Sequence, residues 1–186
     1  TKTFLDGTGT LKGELTRRAG TMRTDVAITG ISKSAGMIIQ NFTVSCFLGD
    51  VEVYSMTTVF GFFPADALAN QKGLSVTPAQ RARLTDEAPV HVDLTQRPER
   101  DFTGTLRLAD PRLCMIDRVD YWPGEGKAGL GRARSAKDVD PDEWFFKAHF
   151  FQDPVQPGSL GIEAMIQLLQ WVMLRDGLAD GIASPR

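Results

Sequence analysis

Cysteine is scarce: Cys46 and Cys114 are the only two in 186 residues. A chain of this length needs no disulfide staple, and two cysteines by themselves make no zinc site. The sequence therefore predicts a reduced, intracellular protein without a metal. Charge of one sign is lacking too. Lys+Arg total 21 against 23 Asp+Glu, a net charge of -2, and a nucleic-acid binder would usually carry a basic excess. No long hydrophobic run is present. The longest apolar stretch, around residues 160–174, is interrupted by Glu163, Gln167 and Gln170, too short and too polar for a membrane span. The first residues lack the charged, apolar and small-residue succession of a signal peptide, so the expected location is cytoplasmic. The chain starts without Met, which points to processing, trimming or excerpting from something longer. No internal repeat or low-complexity segment stands out.

What is present is a globular mix, 42% hydrophobic and 24% charged, sized for one ordinary domain or two small ones. Eighteen glycines and ten prolines favour strands and turns over a helical bundle. Met22, Thr24, Val26 and Ile28 alternate with Arg23, Asp25 and Ala27, the period-two signature of a half-buried strand. Residues 31–36 read as a turn or bulge. Then Ile38, Gln40, Phe42, Val44, Cys46 and Leu48 share one face of a long strand, with Asn41, Thr43 and Ser45 on the other. Gly49-Asp50 is a hairpin turn, and residues 51–63 form the return strand, ended by Pro64. Residues 22–63 are thus an antiparallel meander, with 8–15 as a weaker addition. Residues 64–73 form a short helix or loop. The polar stretch that follows, with Pro78, Pro89 and Pro98, reads as a linker with one short helix near 78–84.

The second half has a different rhythm. Residues 102–108 read as a short strand, and Asp110-Pro111 as a turn or helical start into 113–119. The glycine-rich 124–131 matches no phosphate or dinucleotide pattern and reads as a hairpin crossing. Residues 159–175 are a helix with Ser159 as N-cap and Gly177 as its stop. Its apolar residues leave almost no polar face, so it is expected to be buried nearly all round by a curved antiparallel sheet.

Of the two histidines, His91 lies in the polar stretch without chemical company. His149 sits in the aromatic run 144–151, ahead of a proline-fixed loop and the helix. Glu163 occupies the first turn of that apolar helix. The helix N-terminus stabilises a carboxylate there, whereas burial raises its pKa. A buried acid and a neutral imidazole in one apolar cavity make an acid/base pair. Gly158 has no side chain and carries an N–H at the helix N-terminus, a donor able to polarise a carbonyl.

The stretch WFFKAHFFQDPVQPGSLGIEAMIQLL, residues 144–169, resembles the active-site segment of hotdog-fold 3-hydroxyacyl-[acyl carrier protein] dehydratases. It is most similar to the β-hydroxydecanoyl type and to the dehydratase domains of polyunsaturated fatty acid synthases. The resemblance implies an α+β hotdog fold, a curved antiparallel sheet around a long central helix, in a double-hotdog or dimeric arrangement. It also implies that His149 and Glu163 are catalytic, that Gly158 binds the substrate carbonyl, and that Val155 and Ser159 line the site. The acid is Glu where the β-hydroxydecanoyl type has Asp, which puts isomerase activity in doubt. Ser159 stands where that type often has Cys.

Residues 31–73 resemble the later strands of such a hotdog, yet here they come first. The order suggests residues 1–75 as the later strands of one hotdog, 76–101 as a linker, and 102–186 as the first half of the next. One permuted hotdog over 1–186 is the alternative. The implied reaction is dehydration of a 3-hydroxyacyl thioester to its trans-2-enoyl form, with no cofactor beyond the carrier's phosphopantetheine. The implied partners are acyl carrier protein and an adjacent hotdog or a homodimer partner. Arg132, Arg134 and Lys137 form a basic cluster that reads first as a solvated face and second as a carrier-docking candidate. A non-catalytic hotdog scaffold, an acyl-binding half, or a hotdog thioesterase remain the competing readings.

Overall fold

The computed structural model describes residues 2–16, 18–70, 72–150 and 152–182. The chain divides after Leu74 into two compact units. The first is a four-stranded antiparallel sheet of β1 (Lys2–Leu11), β2 (Met22–Ser34), β3 (Met37–Leu48) and β4 (Val51–Phe62), in the order β1-β4-β3-β2. A short helix, α1 (Ala65–Ala69), follows. The meander is the one the alternation predicts, and β1 begins earlier than the weak segment expected at 8–15. Residues 31–34 belong to β2 rather than to a turn. The hairpin closes at Ala35 and Gly36, both with positive φ (47° and 78°), the backbone twist that suits flanking strands. Gly49 (φ 58°) opens the next hairpin. The bulge lies further back in β2, where the register shifts between Ile28 and Gly30.

Phe42 and Phe60 meet edge-to-face at 5.9 Å on the apolar side. β2, however, is not half-buried: Met22, Val26 and Ile28 are exposed. As an edge strand it has one neighbour, and within this unit no described element covers its apolar face.

The second unit corrects the expected linker at 76–101. It contains α2 (Pro78–Ala82), β5 (Val90–Asp93), a 3-10 turn at Leu94–Gln96 and α3 (Glu99–Phe102). Thr77 and Gln80 form a capping box for α2. Leu94 is buried in the core cluster of Leu108, Ile116, Val119, Tyr121 and Trp171. A four-residue strand is too short for its alternation to show in the sequence. Residues 102–108 are not a strand: α3 ends there, and the Leu108 N–H donates to the Asp101 carbonyl. Residues 113–119 are not helical beyond the single 3-10 turn Pro111–Leu113, and they lead into β6 (Arg118–Trp122). The glycine-rich crossing joins β6 to β7 (Arg132–Ala136), completing the antiparallel order β5-β6-β7.

Two helices follow, α4 (Trp144–Ala148) and α5 (Gly158–Arg175). The residue flanking the start of α5 is Pro157 rather than Ser159, and no side chain caps it. Gly177 (φ 63°) lies beyond its end, as expected. Arg100 donates to the Arg175 carbonyl at 2.7 Å, placing a cation on the helix's negative end. The class is α+β, as the sequence predicts, but α5 is not buried all round. Leu160, Gln167 and Trp171 are buried, while Ile162, Met165, Ile166, Leu169 and Met173 are exposed. A three-stranded sheet is too narrow to enclose a helix. Among the described residues, no helix is long and apolar enough to cross a membrane.

Asp101 is 4% exposed. Burial pushes its carboxyl above the usual range, against the pull of Arg100, the Trp171 indole and Arg175. The indole N–H is itself buried outside hydrogen-bond geometry, so its pull is that of a dipole rather than of a bond. A carboxyl raised on folding contributes most below its unfolded pKa, and that contribution is lost as pH rises through the folded value. Asp101→Asn is therefore expected to raise the urea midpoint at neutral pH, with the gap closing as pH falls below the ordinary carboxyl range. Equal midpoints at both pH values would exclude a cost of burial at this position.

Candidate active site

His149 ends α4, where its N–H donates to the Phe145 carbonyl at 3.0 Å. The aromatic run does not enclose it: His149 is exposed and stacks on Phe150 at 4.1 Å and 17°. In a helix as short as α4 the aromatic side chains fan in different directions. Phe145 goes to the core and Trp144 to the surface, where its indole donates to the Arg112 carbonyl.

The ring is fixed from one side. Nδ1 lies 2.9 Å from the Val155 carbonyl oxygen. A carbonyl only accepts, so Nδ1 carries the hydrogen, and in the neutral ring the lone pair is on Nε2. Val155 therefore serves through its backbone, a role that its apolar side chain does not advertise. Two tight turns bring it back. The Asp153 N–H donates to the Phe150 carbonyl at 3.3 Å, and the Val155 N–H to the Asp153 carbonyl at 2.9 Å around Pro154.

Pro157 leads into α5, and Gly158 is its exposed first residue. A Cβ added there would meet nothing within 4 Å, so the approach to its backbone is open. Among the described residues nothing accepts from the Gly158 N–H, which stays available at the positive end of an 18-residue helix. Ser159, next to it, is exposed.

Glu163 is half-buried, and it is Gln167, one turn on, that orients it. Gln167 is fully buried, and its Oε1 accepts from the Met115 N–H at 2.7 Å. Its Nε2 donates to the Leu113 carbonyl at 2.8 Å and to Glu163 Oε1 at 2.7 Å. The backbone partners settle which end of the amide is which, since one can only donate and the other can only accept. Glu163 Oε1 is therefore an acceptor, and a proton on Glu163 resides on Oε2. In the sequence Gln167 shows only as a polar interruption. The one signal of its role is its spacing, a glutamine four residues after a glutamate on a helix otherwise apolar.

The structure thus joins His149 to Val155 and Glu163 to Gln167. Among the described residues it places no bond between His149 and Glu163. A cavity of ≈ 110 Å³, lined by Met115, Phe145, Phe146, Gln156 and Ala164 together with Lys137 and Glu143, is not lined by His149 or Glu163. Among the described residues no group of three or more His, Cys, Asp or Glu is placed to hold a metal ion.

The basic patch is not a free surface. Arg132 and Arg134 both pair with Asp86, Arg132 also pairs with Glu125 at 3.0 Å, and Arg134 with Asp120. Lys137 pairs with Glu143 at 2.8 Å and Asp117 at 3.4 Å. Burial works against its charge, but these carboxylates outweigh that and hold the ammonium above its usual range. His91, expected to be without company, has Nδ1 2.6 Å from Asp120.

Residues 108–186 match the family model described as the FabA-like domain. Over 190 aligned residues, covering 94% of the chain, the sequence is 32% identical to one of the polyunsaturated fatty acid synthase subunits of Thraustochytrium sp.. The chain spans 13% of the length of that relative.

Proposed function

Because residues 108–186 are FabA-like and the chain resembles part of a polyunsaturated fatty acid synthase, we propose that it dehydrates 3-hydroxyacyl thioesters to trans-2-enoyl thioesters on acyl carrier protein. The observation that carries this reading is the His149–Val155 bond. It leaves Nε2 as a base beside a loop whose next turn presents the open Gly158 N–H. In the reaction Nε2 takes the C2 proton. The C2–H electron pair becomes the C2–C3 double bond, and the C3–O bond breaks. The hydroxyl leaves as water with the proton from Glu163 Oε2. The Gly158 N–H holds the thioester carbonyl as charge develops on it. The only prosthetic group is the carrier's phosphopantetheine, which arrives with the substrate.

His149 is exposed and unbonded to Glu163, which supports a site completed by an adjacent hotdog or a second copy. The base and the acid of one turnover then come from neighbouring hotdogs, so that His149 faces the neighbour's acid and Glu163 the neighbour's imidazole. The order of the parts supports residues 1–75 as the later strands of one hotdog and the region from 102 as the start of the next. The competing arrangement is a single permuted hotdog.

The test is turnover of a 3-hydroxyacyl thioester on its carrier by the protein that contains this chain. Loss of water by mass, with solvent deuterium incorporated at C2 in the reverse hydration, is the expected result. Absence of both would remove the dehydratase reading, and hydrolysis of the thioester in their place would favour the thioesterase.

A further inference from the structure

Gln152 lies in the left-handed region, with φ 55°, between His149 and the Pro/Gly loop. Only two other described non-glycine residues, Ala35 and Arg97, share that conformation. The side chain of Gln152 is exposed and makes no bond among the described residues. Among the described residues, no side-chain bond holds it there. What the conformation achieves is a chain reversal. Gln152 is the third residue of the turn closed by the Asp153 N–H on the Phe150 carbonyl, the position at which turns favour glycine or asparagine. The second reversal, around Pro154, begins at the next residue and ends with the Val155 carbonyl on His149 Nδ1. Pro154 fixes its own φ. Among the described residues of the path from imidazole to carbonyl, Gln152 is the one with a positive φ.

We propose that the left-handed backbone of Gln152 is the positioning element of the His149 centre: it sets the turn that puts the Val155 carbonyl on Nδ1 and so selects the tautomer with Nε2 free. The inference rests on the dehydratase reading for its effect on rate, but its effect on the tautomer is independent of that reading. A residue that resists positive φ breaks the path, and glycine, which adopts it at no steric cost, preserves it.

The experiment uses Gln152→Val and Gln152→Gly in the full chain. With only His91 and His149 present, nitrogen-15 labelling of histidine gives a spectrum of two rings, assigned with His91→Asn. The expected result is that Gln152→Gly keeps the Nδ1–H signature of His149 and the parent kcat. Gln152→Val should lose that signature and lower kcat on the order of tenfold to a hundredfold, with KM little changed. An Nδ1–H signature intact in Gln152→Val would overturn the proposal, provided Gln152→Gly also keeps it. Signature lost with kcat unchanged would leave the positioning role standing and instead remove His149 as the base. Should Gln152→Val fail to fold, Gln152→Thr carries the same comparison, and retention of the signature there overturns the proposal equally.

Discussion

His149→Ala is expected to lower dehydration by roughly 10²–10⁴-fold, the range over which a positioned general base acts. The fold should persist. His149 is exposed, and its removal takes away one bond to a loop carbonyl and one ring contact with Phe150. Surface changes of this kind usually stay within about 0.5 kcal/mol. The two readouts are enoyl formation on the carrier and the urea midpoint of the same preparation. Parent turnover in the variant would show that another centre does the work. A collapsed midpoint would show that the loop, rather than the base, had been lost. Binding need not change, because the carbonyl contact is proposed for the Gly158 N–H, so the loss should fall on kcat.

Glu163→Gln is the second large effect, and the structure makes it an unusually clean substitution. Glu163 Oε1 accepts from the Gln167 amide at 2.7 Å. The carbonyl oxygen of the replacing amide can accept the same bond, so the tie to Gln167, and through it to Leu113 and Met115, is kept. What disappears is the capacity to give a proton from the other oxygen, the role proposed for Glu163. A fall of roughly 10²–10⁴-fold in turnover is expected with the midpoint unchanged. Full activity in the variant would make Glu163 a structural residue or part of an idle site.

The residue strings read correctly where a local pattern was long. Strands β2 to β4 run about a dozen residues each, long enough for period two to emerge, and α5 shows its apolar content over 18 residues. The pattern failed where elements were short or where their order rests on distant partners. β5 has four residues, and its identity as a strand depends on pairing with β6. The polar stretch 76–101 reads as a connector because its one fully buried apolar side chain, Leu94, stands between the polar residues Asp93 and Thr95.

At the site, the chemical types are written in the chain itself: an imidazole, a carboxyl and a glycine at a helix start, spaced along one loop and helix. So is the family resemblance, which the similarity of residues 108–186 to the FabA-like domain bears out. How those groups are held is a product of folding. The tautomer of His149 depends on a carbonyl six residues away, brought back by two turns. The orientation of Glu163 depends on a buried glutamine whose own partners lie more than fifty residues earlier. The same holds for the basic patch, whose charges are legible one by one but are spent on Asp86, Asp120 and Glu143. The physical reason is common to all three. A side chain's chemistry is local, but its protonation, direction and free charge depend on hydrogen-bond and ion partners that only chain folding brings within reach.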